Sequence, residues 1–384
     1  MSALPLFLAA FAASSSALPP GSEGSVPTSE VIVVGEDARL QLVGAAERSD
    51  APGAVLRFSS AGVRLRARGT LRLVWADQTR ACASGTEAIP DNPPNGIHDD
   101  SDARFEAVIE TVADTRSRHI VEVRDGDTLT VPELSTITVL KATEALFGGR
   151  RLLAIEVGPI DGLPPVVEAI EPPRRTLVVL GDSWATGFGV RGDLPDPVTG
   201  VAGGPTCPFT QSTQDVRDAW PLILGESLDV DVAVVAWSGR GLLRDYDGDE
   251  GPTTVPEWWA SSTVHPDVTV GVVVALGHND GVTGLPDEGR FRAAWAQTRS
   301  SLRQRLGADV PIAVLLPDFQ DAPPAIDRTA AFRRLLAADD VILVQEPRMP
   351  IALGQGCVWH PGTRAQADFA RQLVPLLQGP LHLP

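Results

Sequence analysis

Apolar positions divide the chain into two patterns. Between Val31 and Val157 they come as short β-like runs: Val31–Val34, Ala54–Phe58, Val63–Ala67, Leu71–Trp75, Phe105–Val112, His119–Val123, Thr136–Lys141 and Leu152–Val157. Turn residues separate these runs at short intervals and no long stretch has helical period, which predicts an antiparallel β-sandwich. Gly162-Leu163-Pro164-Pro165 and Glu171-Pro172-Pro173-Arg174 bracket a connector. From Thr176 the pattern changes. Leu177–Leu180, Val232–Trp237, Val268–Leu276, Pro311–Leu316 and Val341–Gln345 are strand-length apolar runs, while Glu288–Leu306, Ala325–Ala337 and Thr363–Leu377 carry helical period. Five strands with interleaved helices predict a parallel sheet covered on both faces, hence an α/β unit. The expected division is a leader over 1–17, a linker over 18–30, the sandwich over 31–172 and the α/β domain over 173–384.

Four segments of the second half carry candidate chemistry. The first apolar strand ends in Gly181-Asp182-Ser183, the second in Ser238-Gly239-Arg240-Gly241, the third in Gly277-His278-Asn279-Asp280, and Trp359-His360-Pro361 lies near the C-terminus. Open α/β sheets place their chemistry at the carboxyl ends of strands. A serine there needs a base to become a nucleophile at neutral pH, and His360 is the candidate base. A tetrahedral oxyanion needs preorganised donors; the N–H groups of Ser183 and Gly239 and the amide of Asn279 are suitable. Taken alone, Gly-Asp-Ser is equally well a turn in which Asp and Ser satisfy local backbone groups. The ordered set of Ser, Gly, Asn and His resembles the SGNH/GDSL hydrolase superfamily, which implies a flavodoxin-like α/β/α domain with a five-stranded parallel sheet.

A sandwich followed by such a domain is similar to carbohydrate esterase family 2, whose members pair an N-terminal jelly roll with an SGNH domain. Lys141-Ala142-Thr143-Glu144-Ala145 with Gly148, Cys207-Pro208-Phe209-Thr210, Trp237-Ser238-Gly239-Arg240-Gly241-Leu242 and Trp359-His360-Pro361 carry that resemblance. It implies a carbohydrate O-acetylesterase, an acetyl xylan esterase-like enzyme with no cofactor. The alternatives are another acyl esterase on the same site, lipase-like or thioester-cleaving, and a carbohydrate-binding protein whose site has decayed. One departure stands out. The superfamily usually has Asp three residues before the histidine, and here that position is Cys357. Orienting His360 then falls to a backbone carbonyl or to a distant carboxylate; the family resemblance implies a Ser–His dyad steered by a carbonyl. His278, where the superfamily commonly has Thr, reads as a loop filler, and Asp182 and Asp280 as acceptors of loop N–H groups.

Composition narrows the partners. A net charge of -17 makes nucleic acid and anionic membrane surfaces unfavourable, and a neutral or acetylated substrate fits without electrostatic help; an acetylated carbohydrate is the substrate the resemblance implies, and a monomer is the expected state. Aromatic faces stack on sugar rings, and Trp359 and Trp184, beside the catalytic blocks, are the candidate substrate contacts; ordinary core packing is the alternative for each Trp. Cys207 and Cys357 both lie in segments expected at the active-site rim and form the candidate disulfide, with Cys82 left free. No cysteine pair has metal-ligand spacing. The acidic run Asp91–Asp102 resembles a degenerate calcium loop and reads more simply as a solvated surface loop. Residues 1–17 lack charged side chains and Leu4–Ala13 is apolar, as in a secretory signal peptide without its basic n-region. Lys141 is the sole lysine of the chain.

Overall fold

The structure, a computed structural model, describes residues 28–48, 53–76, 103–170, 174–195, 202–207, 210–250, 259, 262, 264–319 and 325–383. The expected leader, Cys82, Trp258 and the acidic run at 91–102 lie outside these residues. No helix among those described is long and apolar enough to cross a membrane.

Ten strands form the first sheet: β1 Glu30–Val33, β2 Gln41–Val43, β3 Glu47–Arg48, β4 Ala54–Leu56, β5 Gly62–Trp75, β6 Phe105–Thr111, β7 Asp114–Val123, β8 Thr128–Lys141, β9 Arg150–Gly158 and β10 Val166–Glu168. All pairings are antiparallel, along the path β3-β4-β9-β5-β8-β6-β7, with β1 on β9 and both β2 and β10 on β5. The strands join in one hydrogen-bonded network, antiparallel as the apolar pattern predicted. The join is β5, which meets β8 along one edge and β2, β10 and β9 in turn along the other. Its alternation is strict: Val63, Leu65, Ala67, Leu71 and Leu73 are buried between outward Arg64, Arg66, Arg68 and Arg72, the two-residue period of a sheet with one wet face. At Gly69 the register shifts. A side chain there would strike the Gly158 carbonyl, so the bulge requires glycine.

The second sheet is parallel: β11 Thr176–Gly181, β12 Asp231–Ala236, β13 Thr269–Ala275, β14 Ile312–Leu316 and β15 Ile342–Gln345, in the order β12-β11-β13-β14-β15. This is the flavodoxin-like order, whose switch point lies between the first and third strands, here β11 and β13. The helices are α1 Ser183–Thr186, α2 Trp220–Ser227, α3 His278–Val282, α4 Glu288–Leu306, α5 Ala325–Leu336 and α6 Thr363–Gln378. The continuous apolar character of β11 has a direct cause. Leu177 and Val179 pack with Trp220, Leu224, Phe369 and Leu373 of α2 and α6. Val178 and Leu180 pack on the other face with Phe291, Trp295 and Leu302 of α4 and Phe332 and Leu335 of α5. The helix α2, which the apolar pattern left unassigned, completes the first of these layers.

The two sheets meet closely. Ser60 closes the free edge of β12, donating to Val232 O at 3.3 Å and accepting from Val234 N at 3.4 Å. Arg64 of β5 pairs with Asp231 at 2.5 Å. Arg104 and Glu106 from the first sheet join Arg191, Asp215 and Arg217 in a buried ion network.

Candidate active site

The switch point gathers the strand ends. β11 turns into α1 at Gly181, where a side chain would sit 2.6 Å from the Ala185 methyl; only glycine lets helix and strand approach so closely. Asp182 caps α1, its Oδ1 accepting the Trp184 N–H at 3.1 Å, a satisfied helix start. Burial raises the Asp182 carboxyl to about 6, against the Trp184 N–H and the nearby His278. Ser183 is the first residue of α1 and 8% exposed. Its N–H has no intrahelical acceptor at that position, so it is free for a ligand.

β12 delivers the next piece. Gly239 has φ 78° and its carbonyl accepts the Tyr246 N–H at 2.9 Å. The ring of Tyr246 lies 2.9 Å from where a Cβ would stand, so both conformation and space require glycine. Asp280 organises the loop that follows: its carboxylate accepts the N–H groups of Leu242, Leu243 and Arg244 at 2.8, 2.8 and 3.1 Å. Asn279, at the start of α3, donates from Nδ2 to Arg240 O at 2.8 Å and to Asp182 Oδ2 at 3.4 Å. That amide links the ends of β11, β12 and β13. His278 is more than a filler. It bonds Glu346 at 2.9 Å and its ring lies 4.7 Å from that of Trp184 and 5.4 Å from that of Phe319. Burial pulls its pKa down, but the carboxylates of Glu346, Asp182 and Asp318 together raise it.

His360 sits on a loop held from several sides. Gly356 N donates to His360 O at 2.8 Å, and Cys357 N donates to Gly189 O at 2.8 Å. The Thr363 hydroxyl reaches Asp193 at 3.0 Å. A disulfide joins Cys357 to Cys207, 150 residues away in sequence. Val358 and Trp359 adopt φ 52° and 62°, a left-handed pair unusual for side-chain-bearing residues. This reversal turns the Val358 carbonyl back onto His360, whose Nδ1 lies 2.8 Å away. Burial pushes the imidazole pKa down to about 4, with the Val358 carbonyl opposing. The same turn thrusts Trp359 outward to 64% exposure.

Phe188 touches both Ser183 and His360. Phe188 N donates to Ser183 O at 3.3 Å, and its ring packs 4.3 Å from the His360 ring. No hydrogen bond joins the Ser183 hydroxyl to His360 among the described residues. Trp184, read as a substrate contact, packs on His278 and is half-buried, and Trp259 is fully buried against Arg305. The reversed pair at 358–359 and the Asp193 anchor were invisible in the apolar pattern; the signal available was the cluster Gly187, Gly189, Gly192 and Gly354, Gly356, Gly362. Side chains at Gly189, Gly192 and Gly356 would collide with the opposing loop. Thiol counting on denatured, unreduced protein should find a single free thiol, that of Cys82; three would contradict the pinned loop.

The sheet order is that of a flavodoxin-like α/β fold, with Ser183, Gly239 and Asn279 at the ends of its first three strands in chain order. The chain shares its fold with solved family two carbohydrate esterases. The family two carbohydrate esterase from Cellvibrio japonicus superposes with a TM-score of 0.67 at 17% identity, over 92% of this chain and 98% of that one. The family two carbohydrate esterase from Clostridium thermocellum, in complex with cellohexaose, gives 0.65 at 18% identity, over 89% and 99%. In sequence, the chain is 25% identical over 225 residues to an acetylxylan esterase / glucomannan deacetylase of Cellvibrio japonicus, covering 54% of this chain and 57% of the relative. It is 23% identical over 255 residues to the cellulase/esterase CelE of Acetivibrio thermocellus, 62% of this chain and 29% of the relative. The chain therefore spans less than two thirds of these curated relatives. No family model matches it.

Proposed function

We propose that this protein is a secreted carbohydrate O-acetylesterase, releasing acetate from an acetylated polysaccharide or oligosaccharide. The observation that carries this reading is the 2.8 Å contact between His360 Nδ1 and Val358 O. A carbonyl only accepts, so Nδ1 carries the proton and Nε2 is left as the base. Ser183 Oγ attacks the acetyl carbon as Nε2 takes its proton, and the carbonyl electrons move onto oxygen. The N–H groups of Ser183 and Gly239 and the Asn279 amide hold that oxyanion; the amide hydrogen facing Asp182 at 3.4 Å is the one free to turn to it. Collapse expels the sugar oxygen, which takes the proton from His360. Water, activated by the same imidazole, then releases acetate. The Val358 carbonyl supports the transient imidazolium, the task a carboxylate has in a triad. Asn279→Ala is expected to lower kcat by about 10²–10³, the usual loss for one oxyanion donor, with KM little changed; an unaltered kcat contradicts its role.

The names of the relatives support acetyl sugar esters as the substrate class. The exposure of Trp359 supports stacking on a sugar ring. In this reading the first sheet, over 31–172, is a jelly roll, the hydrolase domain spans 173–384, the protein acts as a monomer, and residues 1–17 direct export. The deciding measurement is hydrolysis of p-nitrophenyl esters of increasing chain length, with acetate release from acetylated xylan and mannan. Acetate should be preferred over butyrate. A higher kcat/KM for octanoyl esters would favour a lipase-like enzyme, and sugar binding without any hydrolysis would favour a decayed site.

A further inference from the structure

The nucleophile and the loop after β12 rest on a side chain from the other sheet. β8 ends at Lys141, and Ala142-Thr143-Glu144 then run against α1 and the end of β12. Lys141 is fully buried, and its ammonium donates to the carbonyls of Thr143, at 3.1 Å, and Glu144. Ala142 O accepts the Val216 N–H at 2.9 Å, so this segment is docked on the hydrolase unit from both sides. The Glu144 side chain is completely buried. Its Oε2 accepts the Ser238 N–H at 3.3 Å, one peptide before the Gly239 N–H. The Ser238 hydroxyl lies 3.2 Å from that of Thr186, and Thr186 donates to Ser183 O at 3.1 Å. A buried chain of hydrogen bonds therefore runs from Glu144 through Ser238 and Thr186 to Ser183. The other carboxyl oxygen, Oε1, is buried as well, and the carboxyl shares its site with the Lys141 ammonium and the hydroxyls of Ser238 and Thr186. Burying a carboxyl is costly unless its partners are fixed, and the partners of this one are the Ser238 N–H and the hydroxyls that lead to Gly239 and Ser183.

We propose that Glu144 is a positioning residue for the hydrolase site: it fixes the Trp237–Ser238 peptide, hence the Gly239 N–H, and through Thr186 the first turn of α1. The first sheet is then a working part of the active site as well as a neighbour to it. The inference rests on the reading of Ser183 and Gly239 given above. An oxyanion donor displaced by a fraction of an ångström weakens the transition state more than the ground state, so the effect belongs in kcat.

The test measures kcat and KM on p-nitrophenyl acetate, melting temperature, and the fraction of serine reactive to an organophosphate, for wild type, Glu144→Ala, Glu144→Gln and Thr186→Val. Glu144→Ala should lower kcat about ten-fold or more per reactive serine, with KM within about two-fold. Glu144→Gln, which keeps an acceptor for the Ser238 N–H, should recover most of that loss. Thr186→Val, which keeps the volume and removes the hydroxyl, should lower kcat several-fold. A folded Glu144→Ala protein with wild-type kcat, or one whose loss lies only in the reactive fraction, overturns the proposal. If Glu144→Ala does not fold, Thr186→Val decides, and an unchanged kcat overturns it. An active wild type matched by the variants sinks this inference alone; a wild type that hydrolyses no ester sinks the hydrolase reading with it.

Discussion

Replacing Ser183 by alanine should lower kcat for acetyl ester hydrolysis by about 10⁴-fold or more, the loss seen when the nucleophile of a catalytic unit is removed. The fold should survive. Ser183 contributes its backbone to α1, while the turn is shaped by Gly181 and capped by Asp182, and neither depends on the hydroxyl. The melting temperature and the affinity for an acetylated oligosaccharide are therefore expected to stay near wild type. Full activity in Ser183→Ala would remove the nucleophile from this site, and a large fall in melting temperature would mean that the hydroxyl has a structural role.

His360→Ala should be comparably severe, since nucleophile and base act as one unit. The wild-type pH profile gives the finer test. An imidazole must be neutral to accept the Ser183 proton. Burial lowers the His360 pKa to about 4, so the base form dominates at every pH above that value. The acid limb of kcat/KM should therefore fall well below the 6.5 of an ordinary histidine. A limb at 6.5 or higher would mean that His360 is solvated and loosely held. Breaking the Cys207–Cys357 bridge, which anchors the loop, should move the limb upward in that direction, with kcat falling as the Val358 carbonyl loses its aim.

Several parts of the molecule were legible in the chain because they follow from local periodicity. The five strands of the second sheet are continuous apolar runs because helices cover both faces, and helix α4, Glu288–Leu306, has the limits its pattern predicts. Asp182 and Asp280 were read as loop acceptors and do accept backbone N–H groups. Shorter elements were not legible. α1 and α3 are single turns at strand ends, too short to show a period, and β2, β3 and β10 are held by pairing to distant strands. The antiparallel character of the first sheet was legible in its short apolar runs, while the order of its strands is set by pairings between distant segments. Nothing in the local sequence announced that the Trp184 ring packs on His278, itself held by Glu346.

The sequence by itself determined the two patterns of strand and helix, the strand-end residues that carry the chemistry, and their order along the chain, since each depends on neighbours within a few positions. Tertiary structure alone decided how His360 is aimed. The left-handed pair Val358–Trp359 is tolerated because the disulfide, the Gly189 carbonyl and the Asp193 anchor over-determine the loop, and all three come from segments more than 140 residues away. It also decided that Glu144 lies beneath Ser238, 94 residues further on. Contacts of that range are set by how distant segments pack, within the second sheet's unit for the His360 loop and between the two sheets for Glu144, and no local pattern of apolar and polar positions encodes them.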